Sequence, residues 1–443
     1  MNPVSGLAAY LGRGEEDKLT KILQQMRRRA TYGYTLYSEC SDACIRDEGE
    51  GSQQAKVGVC LRFEGELPSL PMHGEIYEPE QFDLERLHLL LMNGCFDEAA
   101  ELLNSVDGAY SMIIVGKDEV TLIRDHLGQK PLYYTQKTDY IAAASEKAAL
   151  EALGFDAIEA PKASILYLSY DEKQHYPIKV ERGEPSIDNL DAAAEAVLKL
   201  LKRSLKARLS KPESTVLGFS GGLDSAILAK LASCEKNVKM LCIGIEGSRD
   251  FQWSSRAAEL LGLDFEAYII QVEDVKKASS RLRNTIFNPL NLSIAVGVEL
   301  MASRAREEGY ESLMLGQLAD ELFGGYMRYQ NAYKLKGVGE LQKLMVEDVL
   351  SSQRGLERDE YASAPYVDLC LPYASKPLVE YALKIHPELK VDANRRKIVL
   401  RRAAEMLNLP REIVDAPKKA LQYSTGIHKI IIEEARNPYN TSK

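Results

Sequence analysis

The chain has 443 residues, of which 45% are hydrophobic and 27% charged, and its formal net charge is −9 at pH 7. That length exceeds what one hydrophobic core ordinarily serves, so two domains are expected. No apolar run reaches the roughly 18 residues that span a membrane, and the N-terminal segment lacks the basic lead and apolar core of a secretory signal. A cytoplasmic protein is therefore expected, and the acidic balance argues against a broad nucleic-acid-binding surface.

The N-terminal part is predicted to be rich in strands. Short β-favouring runs such as "GAYSMIIVGKDEVTLIRD", "PLYYT" and "DYIAAAS" are separated by Gly, Asp and Lys-Thr-Asp turns. One segment between them, "DLERLHLLLMNGCFDEAAELLNSV", has helical spacing. "KASILYLSYDEKQHYPIKV" is typical of a hairpin, and the polar stretch "ERGEPSIDN" follows it. These features predict a first domain over residues 1–180.

The pattern changes from Asp188, and the segment "NLDAAAEAVLKLLKRSLKARLS" that follows it predicts a long amphipathic helix. Strand-like runs then alternate with helical ones: "TVLGFS", "KMLCIGI", "EAYIIQV" and "ESLMLG". Such alternation is typical of a parallel sheet covered by helices. The chain from about Gly325 onward is mostly helical in pattern. A second domain over residues 188–443, an α/β sheet with a helical tail, is predicted.

The segment "STVLGFSGGLDSAILAKLA" places a polar, glycine-rich turn between a strand and a helix. Gly221 and Gly222 allow backbone N–H groups to come close to a ligand, and a helix N-terminus favours an anion there. Ser220 and Ser225 add hydroxyl donors, and Asp224 is placed to hold a divalent cation that bridges phosphates. The alternative is a tight turn capped by Asp and Ser. It is not a Walker A loop, because the lysine after the glycines is missing.

This loop resembles the pyrophosphate loop of the ATP pyrophosphatases, which cleave ATP to AMP and pyrophosphate while adenylating a substrate. "LGQLADELFGGYMRYQ", "RRKIVLRRAAEML" and "LPREIVDAPKKALQYSTG" follow in an order that resembles the synthetase domain of asparagine synthetases. The resemblance runs from about residue 189 to 427. It implies an ATP-pyrophosphatase domain of the adenine nucleotide α-hydrolase-like kind, using ATP and Mg²⁺.

The resemblance also implies roles for single residues. The pyrophosphate would lie on Ser220, Gly221, Gly222, Asp224 and Ser225. Adenosine would lie near Ile243 and Gly316, and magnesium would be held by Asp224 and Asp320. The catalytic candidates are Lys397 and Lys418, whose cations would offset charge on the leaving pyrophosphate, with Gln317 and Glu321.

The family pattern is not matched everywhere. Gln317 stands where the family has a glutamate implicated in amide formation, and glutamine cannot accept a proton. Cys370 and Ser375, in "CLPYAS", stand at family positions that carry charges. Adenylation is therefore expected to be intact, while the acceptor and the second half-reaction are open.

The N-terminal part resembles a glutamine amidotransferase domain of the N-terminal-nucleophile type, which implies an αββα fold. The resemblance is carried by "DGAYSMIIV", "LIRDHLGQKPLYYT", "YIAAASEKAAL" and "HGEIYEPEQF", with His73 in place of an asparagine. Active members use an N-terminal cysteine as nucleophile, and here Ser5, behind Met-Asn-Pro-Val, takes that place. Asp107, Arg124, Asp125, Gly128 and Pro131 are expected to be scaffold residues. We expect the glutaminase activity to be lost, as in the β-lactam synthetases.

The favoured interpretation is an ATP-dependent, AMP-forming amide ligase that adenylates a carboxylate, aspartate being favoured, for attack by ammonia or an amine. Three alternatives stay open at the sequence level. One is a β-lactam synthetase-like acceptor, one is tRNA or nucleotide modification, and one is a non-catalytic regulatory protein that binds ATP. A homodimer is compatible with the resemblance.

Overall fold

The computed structural model describes residues 6–12, 16–26, 57–59, 72–77, 83–116, 118–181, 183–210, 212–235, 238–416 and 426–436. The chain forms two compact units, unit 1 over Met1–Glu181 and unit 2 over Arg182–Lys443. Within those described ranges, no helix is both long enough and apolar enough to cross a membrane.

The described part of unit 1 contains two five-stranded sheets. Its strands are β1 (Gly6–Gly12), β2 (Val57–Val59), β3 (Met72–Tyr77), β4 (Asp107–Val115), β5 (Glu119–Arg124), β6 (Tyr133–Gln136), β7 (Tyr140–Ala144), β8 (Ile158–Glu159), β9 (Ser164–Ser169) and β10 (Lys173–Pro177). One sheet has the order β2-β1-β7-β6-β8 and the other β10-β9-β5-β4-β3. Strands β9 and β10 form the antiparallel hairpin predicted from the sequence.

Helices cover the outer face of each sheet. They are α1 (Glu16–Gln25), α2 (Leu84–Met92), α3 (Phe96–Leu103) and α4 (Lys147–Glu151). One apolar core, including Leu7 and Leu122, lies between the two sheets. A second packs Ile22 and Leu150, from the side of α1 and α4, on the first sheet, and a third packs α2 and α3 on the other. Unit 1 is thus the four-layer αββα arrangement that the resemblance implied.

The segment predicted as helical between residues 83 and 106 is two helices, α2 and α3. They are separated at Gly94, whose φ of +71° lies in the left-handed region that favours glycine. Asp83 caps α2 by accepting a hydrogen bond from the Arg86 N–H.

Arg124 and Asp125 form a buried polar core at the end of β5. Asp125 accepts hydrogen bonds from the backbone N–H groups of Tyr110, Leu127, Gln129 and Lys130. The Arg124 guanidinium donates to the carbonyls of Gly128, Lys130 and Ala160. Both side chains are fully buried. Most of their partners are main-chain groups, and Arg124 also pairs with Glu159 over 3.3 Å; such contacts are typical of residues that stabilise a fold.

Unit 2 is built on one five-stranded parallel sheet with the order β13-β12-β11-β14-β15. Its strands are β11 (Thr215–Gly218), β12 (Lys239–Gly244), β13 (Phe265–Ile269), β14 (Ser312–Met314) and β15 (Asp368–Cys370). The predicted alternation and parallel sheet are confirmed.

The helices of unit 2 surround this sheet and form the helical tail. They are α5 (Leu190–Leu209), α6 (Leu223–Ala232), α7 (Arg249–Leu261), α8 (Val272–Leu282), α9 (Pro289–Glu307), α10 (Ala319–Phe323), α11 (Met327–Lys336), α12 (Val338–Ser351), α13 (Gln353–Ser363), α14 (Lys376–Lys384), α15 (Ile398–Met406), α16 (Arg411–Val414) and α17 (Ile427–Arg436). Helix α5 is the predicted long helix, and Asn189 caps it by accepting from the Ala192 N–H.

The strand order reverses between β11 and β14. In open parallel sheets, ligands bind outside the carboxyl ends of the strands at such a reversal. The glycine-rich turn Ser220–Gly222 follows β11, and Gly316 follows β14, so both lie at that edge.

Candidate functional site

The loop after β11 folds into a compact turn stabilised by its own serines. Gly221 has a φ of +68°, and the Gly222 N–H donates to the Ser220 hydroxyl over 3.3 Å. The Ser225 hydroxyl donates to the Gly222 carbonyl over 3.1 Å. Gly222 is the N-cap of α6, and Asp224 lies in the first turn of that helix. Free backbone donors at a helix N-terminus thus border the loop, as an anion site requires.

One lysine bridges two carboxylates beside this loop. The Lys397 ammonium contacts Asp320 Oδ1 over 2.6 Å and also pairs with Asp224 Oδ2. Lys397 is 6% exposed and has a φ of +56° at the N-cap of α15. That left-handed conformation costs free energy in a non-glycine residue. Three separate elements, α6, α10 and α15, therefore bring their charged groups to one point.

The other carboxylate oxygen of Asp224, Oδ1, is buried and has no hydrogen-bond partner among the described residues. A buried carboxylate oxygen without a partner is costly in a folded protein. Within the described ranges no group of three or more His, Cys, Asp or Glu side chains could hold a metal ion.

Glycines make room for this cluster. A Cβ at Gly325 would come within 1.7 Å of Asp320 Oδ1 and 2.5 Å of Lys397 Cε. A Cβ at Gly316 would come within 3.4 Å of the Asp224 Cβ. The turn at Gly325 also donates its N–H to the Asp320 carbonyl over 2.8 Å. Only a residue without a side chain fits at position 325 without moving a charged group.

These groups line a cleft of about 450 Å³ at the carboxyl edge of the sheet. One side of the cleft is apolar and includes Ile243, Val298 and Met301. Apolar side chains beside a loop with helix N-terminal N–H groups suit the base and the phosphates of a nucleotide. The cleft also brings together most residues proposed from the sequence: Ser220, Gly222, Asp224, Ser225, Ile243, Gly316, Gln317, Asp320, Glu321 and Lys397.

The far end of the cleft holds three polar pairs. The Tyr326 hydroxyl donates to Glu321 Oε1 over 2.6 Å, and Arg328 pairs with Asp348 over 2.7 Å. Gln317 donates from Nε2 to Asp359 Oδ2.

The third pair is extended by Arg358, whose guanidinium lies 2.7 Å from Asp359 Oδ1. Burial raises the pKa of Asp359, an effect that the neighbouring Arg358 opposes. Burial likewise raises the pKa of Glu321, against the hydrogen bond from Tyr326.

Sequence reasoning missed Asp348, Arg358 and Asp359. They lie on α12 and α13, outside any recognised motif, and no pattern in the sequence distinguishes them from solvated helical residues. Cys370 and Ser375, two of the altered family positions, are buried; Cys370 ends β15 and Ser375 lies five residues later, and neither is among the residues that line the cleft.

Some predicted residues cannot be placed. Lys418 and Ser5 lie outside the described residues, and only the backbone is described for His73, which pairs with Ser111 across β3 and β4. Gly221 belongs to the loop but does not line the cleft.

A parallel sheet whose central strand ends in an SGGLDS loop, with carboxylates at the strand reversal, defines an α/β protein with an ATP-pyrophosphatase domain. The asparagine synthase family model matches residues 196–341 and 334–439, and a glutamine amidotransferase domain model matches residues 74–152. The chain belongs to the asparagine synthase family. It is an ATP-using carbon–nitrogen ligase.

Relatives agree with this assignment. The chain is 31% identical to a candidate glutamine-hydrolysing asparagine synthetase of Methanocaldococcus jannaschii, over 77% of this chain and 73% of that protein. It is 23% identical to asparagine synthetase B of Escherichia coli, over 75% of this chain and 63% of that protein. It is 25% identical to asparagine synthetase 2 of Arabidopsis thaliana, over 95% of this chain and 79% of that protein.

Proposed function

We propose that the chain adenylates a small carboxylate, with aspartate as the favoured acceptor, and that ammonia then displaces AMP. In the first step a carboxylate oxygen attacks the α-phosphorus of ATP, the bond to the β-phosphate oxygen breaks, and pyrophosphate leaves. In the second step the nitrogen attacks the acyl carbon, the carbon–oxygen bond to AMP breaks, and a proton leaves the nitrogen. The observation that carries the proposal is the Asp224–Lys397–Asp320 cluster beside the glycine-rich loop.

We infer that Asp224 and Asp320 are the protein ligands of Mg²⁺. Magnesium favours one or two carboxylates together with substrate phosphates, and the unpartnered Asp224 Oδ1 offers a ligand oxygen. When bound, the ion would neutralise negative charge on the phosphates. The two residues fit this role because Lys397 already holds them close together.

Lys397 would act on the leaving group. Its ammonium is nearly buried and fixed between two carboxylates, so it needs little rearrangement to donate to an oxygen of pyrophosphate. A preorganised cation at a position of developing negative charge lowers the barrier of phosphoryl and nucleotidyl transfer. Lys418 is proposed as a second cation on the resemblance alone.

Glu321 would accept the proton released during amide formation. It lines the cleft, and burial raises its pKa, which makes the carboxylate a stronger proton acceptor. Its Oε1 is occupied by the Tyr326 hydroxyl, which leaves Oε2 for the proton. Gln317, held by Asp359, would accept a hydrogen bond from the nucleophile through its amide oxygen.

Ammonia is the proposed nitrogen source. Ser5 stands where glutaminases of this type carry the nucleophilic cysteine, and serine is a much weaker nucleophile than cysteine without an activating base. Since the reaction consumes ATP and a free amino acid, we further infer a cytoplasmic location.

The test is magnesium-dependent release of pyrophosphate from ATP, measured with aspartate plus ammonium, with aspartate plus glutamine, and with ATP alone. We expect release with aspartate and ammonium, and no gain from glutamine. Asp224→Asn and Lys397→Met should each reduce the rate at least about 100-fold. Asp264→Asn, an exposed position before β13, should leave it unchanged.

Two results would contradict the proposal. Release in the presence of glutamine that equals the ammonium rate would show an active glutaminase in unit 1. Absence of release with every acceptor, while ATP still binds, would favour a non-catalytic ATP-binding role.

A further inference from the structure

Trp253, the only tryptophan in the chain, contacts the glycine-rich turn Ser220–Gly222. It lies in the second turn of α7, and its indole Nε1 donates to the Gly221 carbonyl over 2.9 Å. Trp253 is not among the residues that line the cleft. Its contact with the loop is therefore made outside the lining of the cleft.

The indole also fits closely against Gly221. A Cβ at Gly221 would come within 2.9 Å of both Cδ1 and Nε1 of Trp253, and within 3.1 Å of the Ala257 Cβ. Gly221 adopts its left-handed φ of +68° directly under this ring. Trp253 and Ala257, both on α7, thus pack directly against Gly221.

The hydrogen bond to Trp253 fixes the direction of the Gly221–Gly222 peptide. In a trans peptide the carbonyl and the N–H point in opposite directions, and there is no cis peptide among the described residues. Since the Gly221 carbonyl points to Trp253, the Gly222 N–H points the other way. It donates to Ser220, and both Ser220 and Gly222 line the cleft.

The opposite peptide orientation would be unfavourable for an anion. It would direct the Gly221 carbonyl oxygen toward the cleft, and a carbonyl dipole repels negative charge. Anion sites built from consecutive backbone N–H groups depend on those groups converging on the ligand. The Trp253 indole N–H, by binding the Gly221 carbonyl, stabilises the peptide orientation that keeps this oxygen away from the cleft before a ligand binds.

We propose that Trp253 is a positioning residue for the pyrophosphate part of ATP: its indole N–H holds the Gly221–Gly222 peptide with the Gly221 carbonyl turned away from the cleft and the Gly222 N–H on the side of Ser220, which lines the cleft. This inference rests on the proposed use of the loop as the pyrophosphate site. It assigns to Trp253 no contact with the substrate itself.

The test removes the indole N–H and keeps the shape of the ring. Because the chain has one tryptophan, expression with β-(3-benzothienyl)alanine replaces that side chain alone, with sulfur in place of the N–H. Trp253→Phe is the genetic counterpart, and Gln252→Ala, exposed on the same helix, is the matched control. Binding of inorganic pyrophosphate with Mg²⁺ and binding of adenosine are each measured by calorimetry.

We expect pyrophosphate to bind about 3- to 10-fold more weakly to both Trp253 variants, as the loss of one hydrogen bond implies. Adenosine binding should be unchanged in both, and Gln252→Ala should match the wild type for both ligands. The adenosine measurement matters because damage to the fold as a whole would weaken both ligands.

Three results would overturn the inference. Equal pyrophosphate affinity in the wild type and the benzothienylalanine protein would do so while leaving the proposed function intact. Equal weakening of pyrophosphate and adenosine would show a general structural role. Failure of the wild type to bind pyrophosphate at all would overturn both this inference and the proposed function.

Discussion

The Gln317 amide donates from Nε2 to Asp359, and this hydrogen bond couples the end of β14 to helix α13. Asp359 is 1% exposed, and its other oxygen pairs with Arg358. A neutral amide at position 317 therefore matches the buried carboxylate facing it. A glutamate at the same place would put two carboxylates in contact, with one guanidinium between them to offset the charge.

Gln317→Glu should destabilise the folded protein in a pH-dependent way. Burial already raises the pKa of Asp359, and a second carboxylate raises the pKa of the pair further. A folded-state pKa above the unfolded value gives stability that is present at low pH and lost as pH rises through the folded pKa. We expect the loss to reach about 1–3 kcal/mol at pH 8 and to be much smaller at pH 5, measured by urea unfolding.

The double variant Gln317→Glu/Asp359→Asn is the control. In this variant the amide donor is at position 359 and the carboxylate at position 317, so the contact again joins one amide and one carboxylate. Its free energy of unfolding at pH 8 should therefore return most of the way to the wild-type value. A loss for Gln317→Glu that is the same at pH 5 and pH 8 would contradict this account, because it would not depend on charge.

At the residue scale, the sequence predicted those site residues that lie close together along the chain and missed those that meet only in the folded protein. Ser220, Gly222, Asp224 and Ser225 fall within one short segment, so the strand-to-helix pattern alone brought them together. Asp359 lies 42 residues after Gln317. The two meet only because α13 packs on α9 beside the sheet, and no local periodicity encodes that contact.

At the scale of elements, the turn that links α10 and α11 determines where the Asp320 carboxylate lies. Helix α10 ends at Phe323, and Gly324 follows with a φ of +77° in the left-handed region. The next residue, Gly325, lies directly against Asp320 and Lys397. The turn is therefore built around the ion pairs, and its second glycine is required by space rather than by backbone conformation.

Gly325→Ala should displace Asp320 from Lys397 and lower magnesium-dependent pyrophosphate release at least about 10-fold. The introduced methyl group cannot fit within 1.7 Å of the Asp320 carboxylate oxygen, and the groups it would push are charged, Lys397 being nearly buried and Asp320 partly buried. Steady-state kinetics at saturating ATP measure the effect.

Gly339→Ala is the matched control for this substitution. Gly339 lies in α12, and a Cβ there would meet nothing within 4 Å. Alanine should keep the activity and raise the free energy of unfolding by about 0.5–1 kcal/mol. Equal activity in the two variants would show that the close approach at Gly325 does not hold the site together.

The alternation of strands and helices predicted the parallel sheet, since that pattern arises wherever helices cover both faces. The reversal between β11 and β14 was not predictable in the same way. It depends on which edge of β11 each later strand joins, and that choice is made by long-range packing.

At the scale of the whole molecule, each of the two units has its own apolar core and its own buried polar residues. The cores of unit 1 lie between and outside its two sheets, and Asp125 stabilises the connection that follows β5. Among the residues that the structure describes, those that line the cleft belong to unit 2. Stability of the two units should accordingly be separable by mutation.

Asp125→Ala should destabilise unit 1 by about 3–5 kcal/mol, because four buried backbone N–H groups lose their acceptor. Trp253 reports only on unit 2, since it is the sole tryptophan. In urea, circular dichroism of Asp125→Ala should show one unfolding transition at a lower urea concentration than in the wild type. The urea midpoint measured by tryptophan fluorescence should be unchanged. Asp156→Ala, an exposed position, should shift neither signal, and a joint shift of both signals in Asp125→Ala would contradict separable units.

The measurement that tests the central claim most directly follows oxygen-18 from the side-chain carboxylate of aspartate during turnover with ATP, Mg²⁺ and ammonium. Adenylation transfers one carboxylate oxygen to the α-phosphorus, so AMP recovered from the reaction should carry one oxygen-18 atom, with unlabelled pyrophosphate released beside it. Oxygen-18 in inorganic phosphate, accompanied by ADP, would mean that the carboxylate is activated at the γ-phosphate, and it would contradict the assignment of the loop and its carboxylates to pyrophosphate.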